Sequence, residues 1–267
     1  MSRETLANGT IGHNKLNWFP VLGQWNIAGA GQIFLGEGPP AATQAQSFPV
    51  GLAVSSASMQ TGQCRAQIRF SAPFNGAEQA AGIVVGYRSH DKPYVFAELG
   101  GTSGACLVGE FVSGFGWRPL AATGQAQSLQ KDGDYLLELN VSGQELRVLV
   151  DGVRVLEHVL LHPLDGRQVG LIAKGNREIS FSQFACKAGK PRAFVVMQFG
   201  EPYENIYKQV IQEQATAAGF EVFRIDEKAG PGVILQDMQR EIEQAEVVNA
   251  EITPANPNPG SSLEPRF

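Results

Sequence analysis

The sequence predicts a multidomain chain: an all-β sandwich over residues 1–187, a linker over 188–192, and an α/β unit of βαβαβ order over 193–267. Three observations predict it. Up to about Lys187, short runs with β-branched or aromatic residues recur between turn signals. Past the turn-rich, basic segment "KAGKPR" the apolar period changes from two to helical. The length, 267 residues, suits two cores of ordinary size.

In chain order, the expected strand runs are "GQWNIAGAGQIFLGEG", "CRAQIRFSAPF", "AAGIVVGYRSHDKPYVFAELGG", "ACLVGEFVSG", "DYLLELNVSGQELRVLVDGVRVLEHVL" and "RQVGLIAKGNREISFSQFACKA". Alternation is clearest in Arg147-Val148-Leu149-Val150. The Asp151-Gly152 pair that closes it favours a hairpin turn, because both residues tolerate positive φ. Such spacing is a sandwich signature. The order of these runs, with Trp25 in the first, "AGIVVGYR" leading to "YVFAEL", and the closing "GRQVGLIAKGNREISFSQF", resembles the concanavalin A-like (laminin G-like) jelly-roll superfamily. That resemblance implies a glycan or small-ligand surface on the sandwich.

Glycosidases of this fold carry carboxylates at alternate positions of one strand, about 5 Å apart, to flank one sugar bond. Here Glu138 is followed by Leu139 and Asn140, and Glu110 by Phe111 and Val112, so hydrolysis by this part is not expected. His90 and Asp91 fall in a loop with Lys92-Pro93, where a ligand or calcium role competes with a plain solvated turn. Trp18, Trp25 and Trp117 can stack on sugars, and core or rim packing is the plainer reading.

Composition is that of a folded protein, 43% apolar and 18% charged, with no apolar run near the roughly 18 to 20 residues that cross a bilayer, so no membrane partner is expected. The first residues lack the apolar stretch of a secretory signal, which points to the cytoplasm. In that setting the sequons at Asn8 and Asn140 read as accidents of composition. Cys64, Cys106 and Cys186, without CxxC spacing, read as reduced, mostly buried thiols rather than a disulfide framework or zinc site; no metal and no cofactor are expected. Residues 1–189 carry 14 basic and 14 acidic residues, and residues 190–267 carry 7 and 12, so the net charge of −5 lies in the C-terminal part. Neither part has the basic face that a nucleic-acid partner needs.

In the α/β unit, "AFVVMQFG" suits a strand buried on both faces. A helix follows from about Pro202, with Tyr203, Ile206, Tyr207, Val210 and Gln214 on one face and Gly219 as its stop. "FEVFRID" is a second strand, "VILQDMQREIEQA" a second helix with Ile234, Leu235, Met238 and Ile242 on its apolar side, and "EVVNAEIT" a third strand. Right-handed crossovers place the three strands in one parallel sheet, and in a flavodoxin-like order the first strand lies between the other two.

Together "AFVVMQFGEPYENIYKQVI", "FEVFRIDEKAGPGVILQDM" and "AEVVNAEITPANPN" resemble the bacterial TIR-like domains related to nucleoside 2-deoxyribosyltransferases. The resemblance implies action on N-glycosidic bonds of nucleosides or nucleotides, with NAD a candidate substrate. It also implies nucleotide-binding roles for Phe199, Gly200, Glu201, Asp226, Gly230, Gly232, Asp237, Thr253, Asn256 and Asn258, with Glu251 and Glu264 the candidate catalytic carboxylates. Cleavage passes through an oxocarbenium-like centre, which calls for such a carboxylate. Some of these residues also have a plainer role: Glu201 and Glu204 as helix-start charges, Asp226 as a strand end, and the Gly-Pro-Gly turn as a helix lead-in, whereas Glu251, a carboxylate in an otherwise apolar strand, is harder to explain by structure alone. Beyond Asn258 the family's helix is replaced by "PGSSLEPRF", so the unit reads as truncated and its activity as impaired, with its third strand an edge open to a homo-oligomer. The expected function is thus a nucleotide-directed TIR-like protein under a lectin-like sensor. Its alternative is a non-catalytic ligand-binding or scaffold protein.

Overall fold

The computed structural model describes residues 16–28, 31–38, 48–71, 75–76, 78–129, 134–224 and 234–251. The chain divides into two compact units, Met1–Val141 with Leu146–Gly189, and Ser142–Glu145 with Lys190–Phe267.

The first unit is a sandwich of two seven-stranded sheets. One sheet holds β1 (Trp18–Leu22), β4 (Val50–Ser58), β13 (Gln168–Lys174), β6 (Ala80–Tyr87), β7 (Tyr94–Gly100), β8 (Cys106–Val112) and β9 (Gly116–Thr123), in that order across the sheet. The other holds β12 (Val153–Val159), β11 (Glu145–Val150), β10 (Asp134–Ser142), β5 (Gly62–Phe70), β14 (Ile179–Ala188), β3 (Gly31–Phe34) and β2 (Trp25–Ala28). The described pairings within both sheets are antiparallel.

Alternation along the strands places one residue set between the sheets. Ile68, Ile83, Val85, Leu99, Val108, Leu137, Leu139, Leu171, Phe181 and Phe184 belong to that core, and burying such side chains contributes about 1.5–3 kcal/mol each. Trp18 meets Phe184 edge-on at 4.9 Å, and Trp25 meets Phe34 at 5.5 Å, so both tryptophans serve packing. The hairpin between β11 and β12 turns on Asp151 at φ 51 and Gly152 at φ 77, the paired positive values that the Asp-Gly sequence favours.

The sheet that begins with β1 is apolar on its second face as well. Val50, Leu52, Val54, Val84, Tyr87, Tyr94, Phe96, Leu107 and Ile172 form a separate buried cluster there, with Val21, Leu22, Phe111 and Trp117 against it. A sandwich strand usually turns polar residues outward; these do not, and the candidate site lies on this face.

In the second unit β15 (Arg192–Val196) lies between β16 (Glu221–Arg224) and β17 (Val247–Ala250), and both pairings are parallel. Phe194, Val196 and Phe223 pack with Met238 and Ile242 of helix α3 (Ile234–Gln244). On the other face Val195 and Met197 pack with Tyr207, Tyr203 and Ile211. The first helical stretch has three parts: α1 (Tyr203–Ile206), a π segment (Tyr207–Gln212) and α2 (Glu213–Ala217). The π segment alters the inward set expected from an ideal helix. A wider turn advances the face by about one residue, so Ile211 packs inward while Val210 is exposed; Ile206, in the turn before it, is exposed as well. The side chains of Ile234 and Leu235 lie outside the described residues.

Candidate functional site

The site begins with the register of β1 on β4. Phe19 stands opposite Val54, and Trp18 opposite Ser55, so Trp18 points into the sandwich and Phe19 outward, where it is 68% exposed. Next to β4, strand β13 pairs with β6, and Gln168 stands opposite Tyr87. Strict alternation would put Tyr87 on the same face as Val85, inside the sandwich. It does not lie there, because the register slips between Gln168 and Gly170, leaving Val85 and Gly86 against the single residue Val169. Gly86 absorbs the extra residue at φ 71, and the bulge turns Tyr87 onto the outer face.

The result is an open groove of about 660 Å³, lined by Phe19, Val21, Leu22, Val54, Tyr87, His90 and Gln168. His90 belongs to the turn after β6, which is closed by the Lys92 N–H donating to Ser89 O at 3.2 Å and by Ser89 Oγ donating to Asp91 Oδ1 at 2.5 Å. That hydroxyl holds the Asp91 carboxyl below its ordinary range, so Asp91 is a charged neighbour of the groove. Burial, with Asp91 as a second cause, raises the Tyr87 phenol, which is therefore a neutral hydroxyl at physiological pH.

From Tyr87 an aromatic stripe crosses the sheet. Tyr94 follows at 5.7 Å, Phe111 stacks on Tyr94 at 4.9 Å, and Trp117 lies 5.1 Å from Phe111. Beside it Lys174 Nζ lies 4.5 Å from the centre of the Phe96 ring and 2.9 Å from Glu98. The groove thus joins apolar and aromatic surface to a phenol, an imidazole and a carboxamide, groups that hold a polar ligand having one apolar side. Among these residues the sequence had singled out only His90; Phe19, Val54, Tyr87 and Gln168 come from four separate strands and carry no shared spacing.

The residues expected to bind a nucleotide lie in the other unit. Phe199 is 60% exposed, and the Arg224 guanidinium lies 5.2 Å from its ring and 4.5 Å from that of Tyr207. Glu204 pairs with Lys208 at 2.8 Å and with Arg224 at 2.7 Å, which holds its carboxyl below the usual range, Lys208 first. Glu201 accepts from Asn205 Nδ2 at 2.6 Å. Gly200 has φ 88 with open space around it. Asp237 is half-buried in α3. Glu251 follows β17, is half-buried, and donates its N–H to Val196 O at 2.8 Å. Phe199, Glu201 and Glu251 thus follow the C-terminal ends of two adjacent strands. Asp226, Gly230, Gly232, Thr253, Asn256, Asn258 and Glu264 lie outside the described residues. Also among the described residues, no group of three or more His, Cys, Asp or Glu side chains is placed to hold a metal ion, and no helix is long and apolar enough to cross a membrane.

No family model matches the chain, and no curated protein matches it. Solved structures do. A carbohydrate-binding module of Bacillus subtilis, CBM66, is 17% identical, with 62% of this chain and 92% of that one covered at a TM-score of 0.48. A β-glucanase of Bacillus licheniformis is 10% identical, with 70% and 100% covered at 0.43. The Caenorhabditis elegans galectin LEC-6 is 15% identical, with 47% and 86% covered at 0.32. At these identities and TM-scores the likeness is one of coarse β-sandwich architecture, which the two seven-stranded sheets show by themselves. The nucleotide-directed, TIR-like function expected from sequence is corrected here. The solved structures named above are a carbohydrate-binding module, a β-glucanase and a galectin, and nothing among the comparisons supports a TIR-like or deoxyribosyltransferase unit, a nucleotide or NAD ligand, or assembly through the α/β half. Around Phe199 the charged groups engage one another, Glu204 pairing with both Arg224 and Lys208.

Proposed function

We propose that the chain is a non-catalytic ligand-binding protein whose sandwich takes a glycan in the groove between β1, β4, β13 and β6. One observation carries the reading: an exposed phenylalanine, a phenol, an imidazole and a carboxamide converge on one outward-facing hollow of about 660 Å³. A sugar ring offers the complementary surface, with C–H groups on one side that pack on an aromatic ring and hydroxyls at its edge that exchange hydrogen bonds. The groove is open to solvent rather than enclosed, which leaves room for a ligand that extends beyond it. Its described lining consists of Phe, Val, Leu, Tyr, His and Gln, groups that bind and orient a ligand. The likeness to a carbohydrate-binding module and a galectin concerns the fold; the glycan reading rests on the make-up of the groove.

Affinity electrophoresis against a panel of soluble α- and β-linked polysaccharides tests this. At least one polysaccharide is expected to retard the protein. Phe19→Ala is expected to weaken that retardation about 3- to 10-fold, the equivalent of one aromatic contact, with no change in the unfolding midpoint because Phe19 is exposed. Retardation by none of the panel, or undiminished retardation of Phe19→Ala, overturns the assignment.

A further inference from the structure

Two of the three cysteines meet in the sandwich interior. Cys64 of β5 and Cys186 of β14 are direct partners in the antiparallel register, 122 positions apart in sequence. Their Sγ atoms stand 3.2 Å apart, with the Cys64 S–H directed at Cys186. Met59 Sδ completes a triangle at 3.7 Å from Cys64 and 3.8 Å from Cys186. Cys64 is 0% exposed and Cys186 3%. Directly opposed residues of an antiparallel pair have Cα atoms about 4.5–5.5 Å apart, inside the roughly 4.4–6.8 Å that a disulfide spans. Side-chain rotation alone therefore brings the sulfurs to bonding distance. Cys106 lies on β8, in the other sheet.

We propose that Cys64 and Cys186 form a redox-sensitive pair that closes into an intramolecular disulfide between β5 and β14 when a small hydroperoxide reaches the sandwich. Cys186 is the attacking thiol. It is the more accessible of the two, and the S–H it accepts from Cys64 holds it below the ordinary thiol range, while burial pushes Cys64 well above it. Cys186 Sγ attacks one oxygen of hydrogen peroxide; the O–O bond breaks, leaving a sulfenic acid on Cys186 and one water. Cys64 Sγ then attacks that sulfur, the S–S bond forms, and the hydroxyl leaves as a second water with the Cys64 proton. Two thiols lose two electrons in all, and one peroxide becomes two waters. The strand pair is locally irregular where this must happen. Its register slips between Ser182 and Ala185, and Gln63, Arg65, Ala185 and Lys187, which flank the two cysteines, line a hollow of about 180 Å³ on the opposite face. A brief local opening at this slip admits a molecule as small as hydrogen peroxide.

The test uses the native full chain. It is treated with a small excess of hydrogen peroxide, quenched, unfolded with N-ethylmaleimide present, and read by intact mass and peptide mapping. One label, on Cys106, is expected in place of three, with a mass lower by about 2 Da before labelling. A Cys64–Cys186 cross-linked peptide is also expected, and dithiothreitol should abolish it and restore three labels. Three labels after treatment, sulfinic acid in place of the cross-link, or a cross-link to Cys106 or between chains overturns the proposal. In Cys186→Ser, Cys64 is expected to keep its label under the same treatment. Because the main measurement is made on the natural chain, an unstable variant leaves it intact.

Discussion

Gln183 shows how much of the sandwich depends on one backbone angle. It sits inside β14 at φ 51, in the left-handed region, at the point where β14 slips against β5. The slip sets which side chains turn inward beyond it: Phe184 reaches the core, where it meets Trp18, and Cys186 comes to face Cys64. A residue with a Cβ is held in that region at a cost of about 1–2 kcal/mol, which glycine escapes and a β-branched side chain worsens. Gln183→Gly is therefore expected to raise stability by up to about 1 kcal/mol, and Gln183→Val to lower it by about 1–2 kcal/mol. The urea midpoint at unchanged m-value is the measurement. Midpoints that move in the same direction for both variants would mean that the bulge does not depend on this angle.

Among the elements, the aromatic stripe depends on a neighbouring gap. On β8, a Cβ at Gly109 would lie 2.5 Å from Phe96 Cζ and 2.9 Å from Arg118 O. Gly109→Ala is thus expected to push the Phe96 ring aside and cost about 1–3 kcal/mol. Combining it with Phe96→Leu should cost less than the sum of the two single changes, because the pair shares one space. Simple additivity in a double-mutant unfolding cycle would show that the ring is not what fills the gap. The two sheets together show what the sequence reveals and conceals. Strands β5, β6, β10, β11, β13 and β14 are legible because they alternate or carry β-branched runs. Strands β1 and β9 contain Pro20 and Pro119, which argue against a strand, yet both lie at sheet edges where a missing N–H is tolerated. Strand β4 reads "VGLAVSSAS", small residues buried between neighbours on both sides, without the bulk that marks a strand. The groove is built from β1, β4 and the Gly86 bulge, the features that pattern reading passes over, so of its lining only the turn residue His90 was in view. In the α/β unit the strands were legible as apolar runs, but the π segment shifted the helix face. Short motifs there suggested a nucleotide chemistry that the comparisons do not support.

At the scale of the whole molecule, titratable groups bound the pH range of stability from both sides. Ser89 holds Asp91, Arg69 holds Asp134, and Lys208 with Arg224 holds Glu204 below the usual carboxylate range. A depressed folded value contributes stability above the unfolded value, about pH 4, that is lost as pH falls. Asp91 and the Arg69–Asp134 pair are exposed, and Glu204 reaches buried Arg224 as well as exposed Lys208, so the acid limb is shallow and salt flattens most of it further. The alkaline side has the opposite sign. Burial, helped by Glu98, pushes the Cys106 thiol up to about 12, and burial raises the phenols of Tyr87 and Tyr94. A raised folded value gives stability that is complete below the unfolded value and lost above it. The unfolded values are about 8.5 for a thiol and about 10 for a phenol. The urea midpoint is expected to be level between about pH 5 and 8, to decline from about pH 8.5, and to fall more steeply above about pH 10. Tyr94→Phe should remove much of the steep part and leave the acid limb unchanged, because Tyr94 lies in the buried stripe and contacts none of those carboxylates' partners. An alkaline limb identical in Tyr94→Phe and the natural chain would show that the phenols of the stripe are already hydrated in the folded protein, and that the outer face of the sheet is wetter than its packing implies.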